Sequence, residues 1–250
     1  GAAYSYSSWG YTLLSAVVEA RAGMPFLDYL AREVTPGLAI GADATDGNDP
    51  RVSRAYEFME GRARRAAPHD FSYTWGGGGL AATPEAIALF GARVLSGDIL
   101  SRETFDALRT PARLANGGVV AERDFEVGVG WRSSTGLDGE LLAHPAGVPG
   151  GARSALVLWP ERGLAASLLS NAIWVSSIEQ TTMMLAAPFT AVESMARAER
   201  VARWHGAESS SWPAVTSPRS RMTSPSIPTG YGYDSFTRMV AEFNYQPHWL

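Results

Sequence analysis

The sequence predicts an α+β fold, an α/β sandwich in which helices flank an antiparallel sheet, with a further helical region. Three observations lead there. Residues 140–171, ELLAHPAGVPGGARSALVLWPERGLAASLLSN, divide into three short apolar runs separated by Pro and Gly, too brief for helices. On either side lie segments whose apolar residues recur at helical spacing beside recognisable cap residues. An apolar content of 46% is ample for a packed core in a chain of 250 residues.

In the central stretch, Leu141–His144 reads as a strand that ends at Pro145 and a cluster of glycines. Residues 154–159 (SALVLW) are apolar, rich in strand formers, and stop at Pro160. Pro160-Glu161-Arg162-Gly163 is a tight turn, because Pro fixes φ and Gly accepts the left-handed region. Leu164–Ser170 follows as the third strand, ended by Asn171. His144 is a titratable group at a strand end, followed by small residues that would let a ligand approach the backbone. On residues alone it reads equally as structural or functional.

The remaining elements follow in chain order. Tyr11, Leu14, Val17 and Val18, with Leu13 beside them, predict a first helix and its apolar face, with Gly23 as the stop. Pro25 opens a second helix with Phe26, Leu27, Leu30 and Val34 on one face. Residues 37–50 read as loop, and the polar, Arg-rich residues 51–70 as an extended excursion that rejoins the core at Phe71. Thr83-Pro84-Glu85 combines an N-cap, a proline at the first helical position and an acid in the first turn. That helix carries Ile87, Leu89, Phe90 and Val94 and ends near Gly97; Ser101 opens another, with Phe105 and Leu108. Residues 125–133 (FEVGVGWRS) read as one strand pairing with Leu141–His144 through a turn at 136–139. A long helical pattern covers residues 178–203, kinked at Pro188. Residues 1–204 are therefore the folded domain, 205–230 a Ser/Pro-rich linker, and 231–250 an unassigned tail too short for a core of its own.

A net charge of −4 gives no electrostatic case for nucleic acid or an anionic membrane as partner. No apolar run is long enough to span a bilayer as a helix. The absence of cysteine excludes disulfides, thiolate chemistry and Cys-ligated metals. The chain also has no lysine: every basic side chain is Arg or His. The four histidines are scattered without metal-ligand spacing, so neither a metal nor any other cofactor is expected. Gly76 to Gly79 lack the Lys-Ser/Thr of a phosphate loop and read instead as a tight turn leading to the Thr83 helix. No G-x-S-x-G elbow is present.

Five segments taken together carry a resemblance. Tyr6-Ser7-Ser8-Trp9-Gly10-Tyr11-Thr12-Leu13-Leu14 resembles the Tyr-Ser-Asn-x-Gly-Tyr-x-Leu-Leu motif of the class C β-lactamase-like serine hydrolases, the β-lactamase/penicillin-binding-protein-like fold. Gly76 to Leu80 with Thr83-Pro84-Glu85 looks like that family's Gly-Gly-Leu-x-x-Thr stretch, and Val129-Gly130-Trp131 like its Gly-Trp strand. His144-Pro145-Ala146-Gly147-Val148-Pro149-Gly150 falls where the family has His-Thr-Gly-Gly-x-x-Gly, and Pro160-Glu161-Arg162-Gly163 through Asn171 matches its Pro-Glu-x-Gly hairpin. Within the family the wording is closest to the LACTB-like serine peptidases.

The resemblance implies acyl transfer by a serine of a Ser-x-x-Lys motif acting on a small ester, amide or peptide. Tyr6 matches the family's catalytic Tyr, a proton relay, and Ser8 the position usually held by a substrate-contacting Asn. His144 matches the third-motif base or cation. Gly147, with Ala146 before it, matches the strand whose backbone N–H completes the oxyanion hole. Pro145 and Ala146 replace the usual Thr-Gly, which removes a hydroxyl and a backbone donor. With no lysine in the chain, no internal serine can supply Ser-x-x-Lys. The expectation is a carboxy-terminal part of such a hydrolase, without the amino-terminal strands and the Ser-x-x-Lys helix, and inactive as it stands. Two alternatives are a non-catalytic acyl- or peptide-binding relative and an interaction module that self-associates through an open sheet edge. The compartment stays open, export to the periplasm being what the family suggests.

Overall fold

A computed structural model of the chain describes residues 1–42, 52–67, 70–123, 125–136, 141–147, 152–175 and 177–190. The expected linker and tail at 205–250 lie outside the described residues, as does the 191–203 part of the last predicted helix.

The predicted α+β architecture is present. Helices α1 (Ser8–Ala22), α3 (Pro84–Ser96), α4 (Arg102–Arg109) and α5 (Ile178–Thr190) accompany an antiparallel sheet. Its strands are β5 (Ala121–Glu122), β6 (Phe125–Val127), β7 (Arg132–Thr135), β8 (Leu141–His144), β9 (Ala146–Gly147), β10 (Arg153–Trp159) and β11 (Leu164–Ser170). They run in the order β11-β10-β8-β7-β6-β5, and β9 joins β10 beyond β8. β8 and β9 are one strand broken at a proline: Ala143 pairs with Leu158 and Ala146 with Ala155, a single register. Pro145 lies between them and has no N–H to give, but its carbonyl accepts from Leu156 N at 3.4 Å.

The core lies on both faces of β10. Leu156 and Leu158 pack with Ala143, Trp131, Val94 of α3 and Phe105 of α4. Val157 and Trp159 face the other way, onto Leu142 and onto Met183 and Ala186 of α5. A strand covered on both sides can be apolar at every position, as residues 155–159 (ALVLW) are. The predicted caps form as read. Thr83 Oγ1 accepts from Ala86 N and Ser101 Oγ from Thr104 N, both at 3.1 Å. Gly23 and Gly97 end α1 and α3 in the left-handed conformation.

Five expectations need correction. The loop at 37–50 contains β1 (Ile40–Ala42), which pairs with β4 (Leu80–Ala82). The excursion at 51–70 is a hairpin, β2 (Tyr56–Met59) and β3 (Arg62–Arg65), joined by Glu60-Gly61. Asn171 fastens it to the sheet by donating Nδ2 to Arg54 O at 2.8 Å. The second helix is four residues long, α2 (Phe26–Tyr29), and widens into one turn at Leu30–Val34 closed by Thr35 N to Leu30 O at 2.8 Å. Residues 125–133 form two strands rather than one, because the chain reverses at Gly128–Trp131, with Gly128 N donating to Trp131 O at 2.8 Å. The largest correction concerns α1. Leu13, Leu14 and Val17 are 67%, 55% and 56% exposed, whereas the buried residue of that helix is Ser15.

Candidate functional site

The face that α1 turns inward is explained by the glycine run. Trp75–Gly77 forms a single tight turn laid against the helix. A Cβ on Gly76 would stand 2.5 Å from Tyr11 O, and one on Gly77 2.5 Å from Ser8 O and 2.6 Å from Thr12 Oγ1. Helix backbone and glycine backbone are therefore in contact. The side chains that stand at that seam are the short ones of Thr12 and Ser15, and the long apolar ones are left outside. The glycines do form the expected tight turn, and their smallness also seats the helix that carries Tyr6 and Ser8 at its start.

At that start, Ser7 caps the helix, its Oγ accepting from Gly10 N at 3.0 Å. Ser8 Oγ donates to Tyr6 Oη at 3.4 Å, so two of the sequence-predicted site residues meet. The Tyr6 ring is 61% exposed. Trp9 stacks on Tyr73 with ring centroids 5.7 Å apart, which gives the helix start an aromatic flank.

His144 is set differently. It closes β8 opposite Arg132 of β7 and is fully buried. Its Nε2 shares a hydrogen bond with Ser134 Oγ at 3.1 Å, its ring meets the edge of Phe125 at 4.7 Å, and its Nδ1 has no partner among the described residues. Burial, then the positive Arg132, pushes its pKa down to about 4. The imidazole is therefore neutral at pH 7, a form that can accept or donate a proton but brings no charge. Ala146 and Gly147 continue this strand as β9, opposite Ala155 and Ser154.

Among the described residues no hydrogen bond joins Tyr6 or Ser8 to His144. The two parts are linked through residues that sequence reasoning missed. Tyr4 Oη donates to Glu122 Oε2 at 3.3 Å. Arg132 Nη2 donates to both Glu122 oxygens at 3.1 and 3.0 Å, and its guanidinium stands 6.0 Å over the Phe125 ring that abuts His144. Burial and the Glu122 carboxylate raise the Tyr4 pKa, which keeps its phenol a donor. The only trace of this network in the sequence is the placing of Arg132 beside Trp131, because the partners come from distant segments.

A family model described as Beta-lactamase matches residues 1–172. The chain belongs to the beta-lactamase family. Among curated relatives, the human serine beta-lactamase-like protein LACTB, mitochondrial, is 34% identical over 101 residues, 39% of this chain and 18% of that protein. The Bos taurus counterpart matches over the same shares. Among solved structures, a D-stereospecific amidohydrolase from Streptomyces sp. superposes with a TM-score of 0.61 at 17% identity, over 74% of this chain and 55% of that one. The octameric penicillin-binding protein homologue from Pyrococcus abyssi gives 0.60 at 20%, over 75% and 43%. A D-amino acid amidase from Ochrobactrum anthropi, complexed with D-phenylalanine, gives 0.54 at 18%, over 74% and 58%. At these identities the likeness is one of fold. The chain spans under a fifth of those curated relatives and about half of the solved ones. Within the beta-lactamase family it is a relative of serine hydrolases.

Proposed function

We propose that these residues supply the Tyr6 and His144 part of an acyl-transfer site whose nucleophilic serine and lysine come from outside the 250 residues. The observation that carries the reading is the pairing of Ser8 Oγ with Tyr6 Oη at the exposed start of α1. A phenol held there can pass a proton to or from a reacting group, whereas an unassisted serine hydroxyl is a poor nucleophile near neutral pH. The oxyanion would be met by the backbone N–H of Gly147, with Ala146 beside it. His144, neutral, would serve as a proton acceptor or as a support for that strand. The substrate class is a small ester, amide or peptide. Similarity to a D-amino acid amidase and a D-stereospecific amidohydrolase favours an amide built on an amino acid. No cofactor enters the reaction.

The test is active-site labelling of the purified 250-residue chain with a fluorophosphonate and with a penicillin probe. No serine should be labelled, and labelling should appear once a segment bearing Ser-x-x-Lys is supplied. Stoichiometric labelling of a serine within the chain would overturn the reading. A second reading, an interaction module, is favoured by the exposed Leu13, Leu14 and Val17 of α1 and by β11 at the sheet edge.

A further inference from the structure

Tyr6 touches Ser8 of its own helix start and is mostly exposed, so its own bonds do not fix where it stands against the sheet. We propose that Tyr4, Glu122 and Arg132 are positioning residues that clamp the segment entering α1 to the β5–β7 edge, and so set Tyr6 and Ser8 relative to the His144 strand. The role assigned to Tyr6 rests on the acyl-transfer reading; the clamp itself is a geometric unit.

Two hydrogen bonds and one close approach define it. Tyr4, two residues before Tyr6, donates to Glu122 Oε2 at 3.3 Å. Gly1 O accepts from Ala115 N at 2.8 Å, a backbone tie to the loop before β5. The Tyr11 phenol reaches the β6–β7 turn, 4.0 Å from where a Cβ on Gly130 would sit. Glu122 also has a partner of its own on the sheet. Arg132 Nη2 bridges both of its oxygens, and the Phe125 ring supports the guanidinium from below. Arg132 is also the cross-strand partner of His144. One guanidinium thus faces the carboxylate that holds the helix entry and, across Phe125, the buried imidazole.

A chain without cysteine accepts paired labels cleanly. Nitroxides on Ala2→Cys and Ala121→Cys report the distance from the helix entry to β5 by electron spin resonance, and ring-labelled tyrosine reports Tyr6 and Tyr4 by NMR. In the parent chain the distance distribution should be single and narrow. Tyr4→Phe and Glu122→Gln, both near-isosteric, should each broaden it and shift the Tyr6 resonance, and together do no more than either alone. Glu122→Gln should also lower the midpoint of the Tyr4 titration. A clamp that only added stability would lower the melting temperature yet leave the label distance and the Tyr6 resonance in place; that result overturns the positioning role. If Tyr6→Phe leaves unchanged the probe labelling seen once the Ser-x-x-Lys segment is supplied, while Tyr4→Phe still broadens the distribution, the acyl-transfer reading fails and the clamp stands.

Discussion

His144 is buried, and this has a consequence in solution. Its folded pKa of about 4 lies below the ordinary 6.5. Above pH 6.5 the imidazole is neutral in both folded and unfolded chains and pH has no effect through it. Between 6.5 and 4 the unfolded chain takes up a proton that the folded chain refuses, so stability falls as pH falls and the loss is complete below about 4. The full loss is roughly 3 kcal/mol. Urea midpoints at pH 7, 5.5 and 4 should decline accordingly, and His144→Leu should flatten the decline; an unchanged slope would assign it to other groups. Tyr6 is the opposite case. Because it is exposed and, among the described residues, hydrogen-bonded to Ser8 alone, Tyr6→Phe should alter stability by no more than about 0.5 kcal/mol in thermal melts, whatever it does to chemistry. The two motif residues look alike as sequence signals, and only their surroundings separate a buried support from an accessible phenol.

The elements were legible where the signal was local. Thr83-Pro84-Glu85, Ser101, Gly23 and Gly97 mark helix ends through groups within four residues of each end, and all four form as read. The orientation of α1 was not legible. Its apolar spacing at Tyr11, Leu14, Val17 and Val18 is real, but the helix is seated by a glycine turn some 65 residues away, whose backbone meets the helix backbone and the short side chains of Thr12 and Ser15. Pro145 was read as the end of a strand, yet the register resumes at Ala146, since one missing donor interrupts a ladder without ending it. The seam makes a direct prediction. Gly77→Ala would place a methyl 2.5 Å from Ser8 O, a helix backbone atom that cannot swing aside. It should cost about 1–3 kcal/mol and displace the start of α1. Gly41→Ala, with nothing within 4 Å, is the control and should change the urea midpoint little.

At the scale of the whole molecule, the described residues bury one sheet well and leave two apolar features uncovered. One is the outward side of α1, with Trp9 and Leu13 each 67% exposed. The other is β11, uncharged along LAASLLS and last in the sheet order, whose outer side is met near its end by the Tyr56–Ala172 bridge. Contiguous apolar surface and unpaired strand edges both favour association with other chains. The solved relatives carry roughly as much chain again beyond the part matched here, so in them such surfaces have further polypeptide available to cover them. The 250-residue chain by itself should therefore associate as its concentration rises, which light scattering across a dilution series would measure. Leu13→Glu with Val17→Glu should weaken that association while costing little stability, because neither side chain is buried. If the double variant associates as strongly as the parent, the contact does not run through the Leu13 and Val17 face of α1. If the parent stays monomeric at the highest concentration, neither feature is sticky in solution and the interaction-module reading falls.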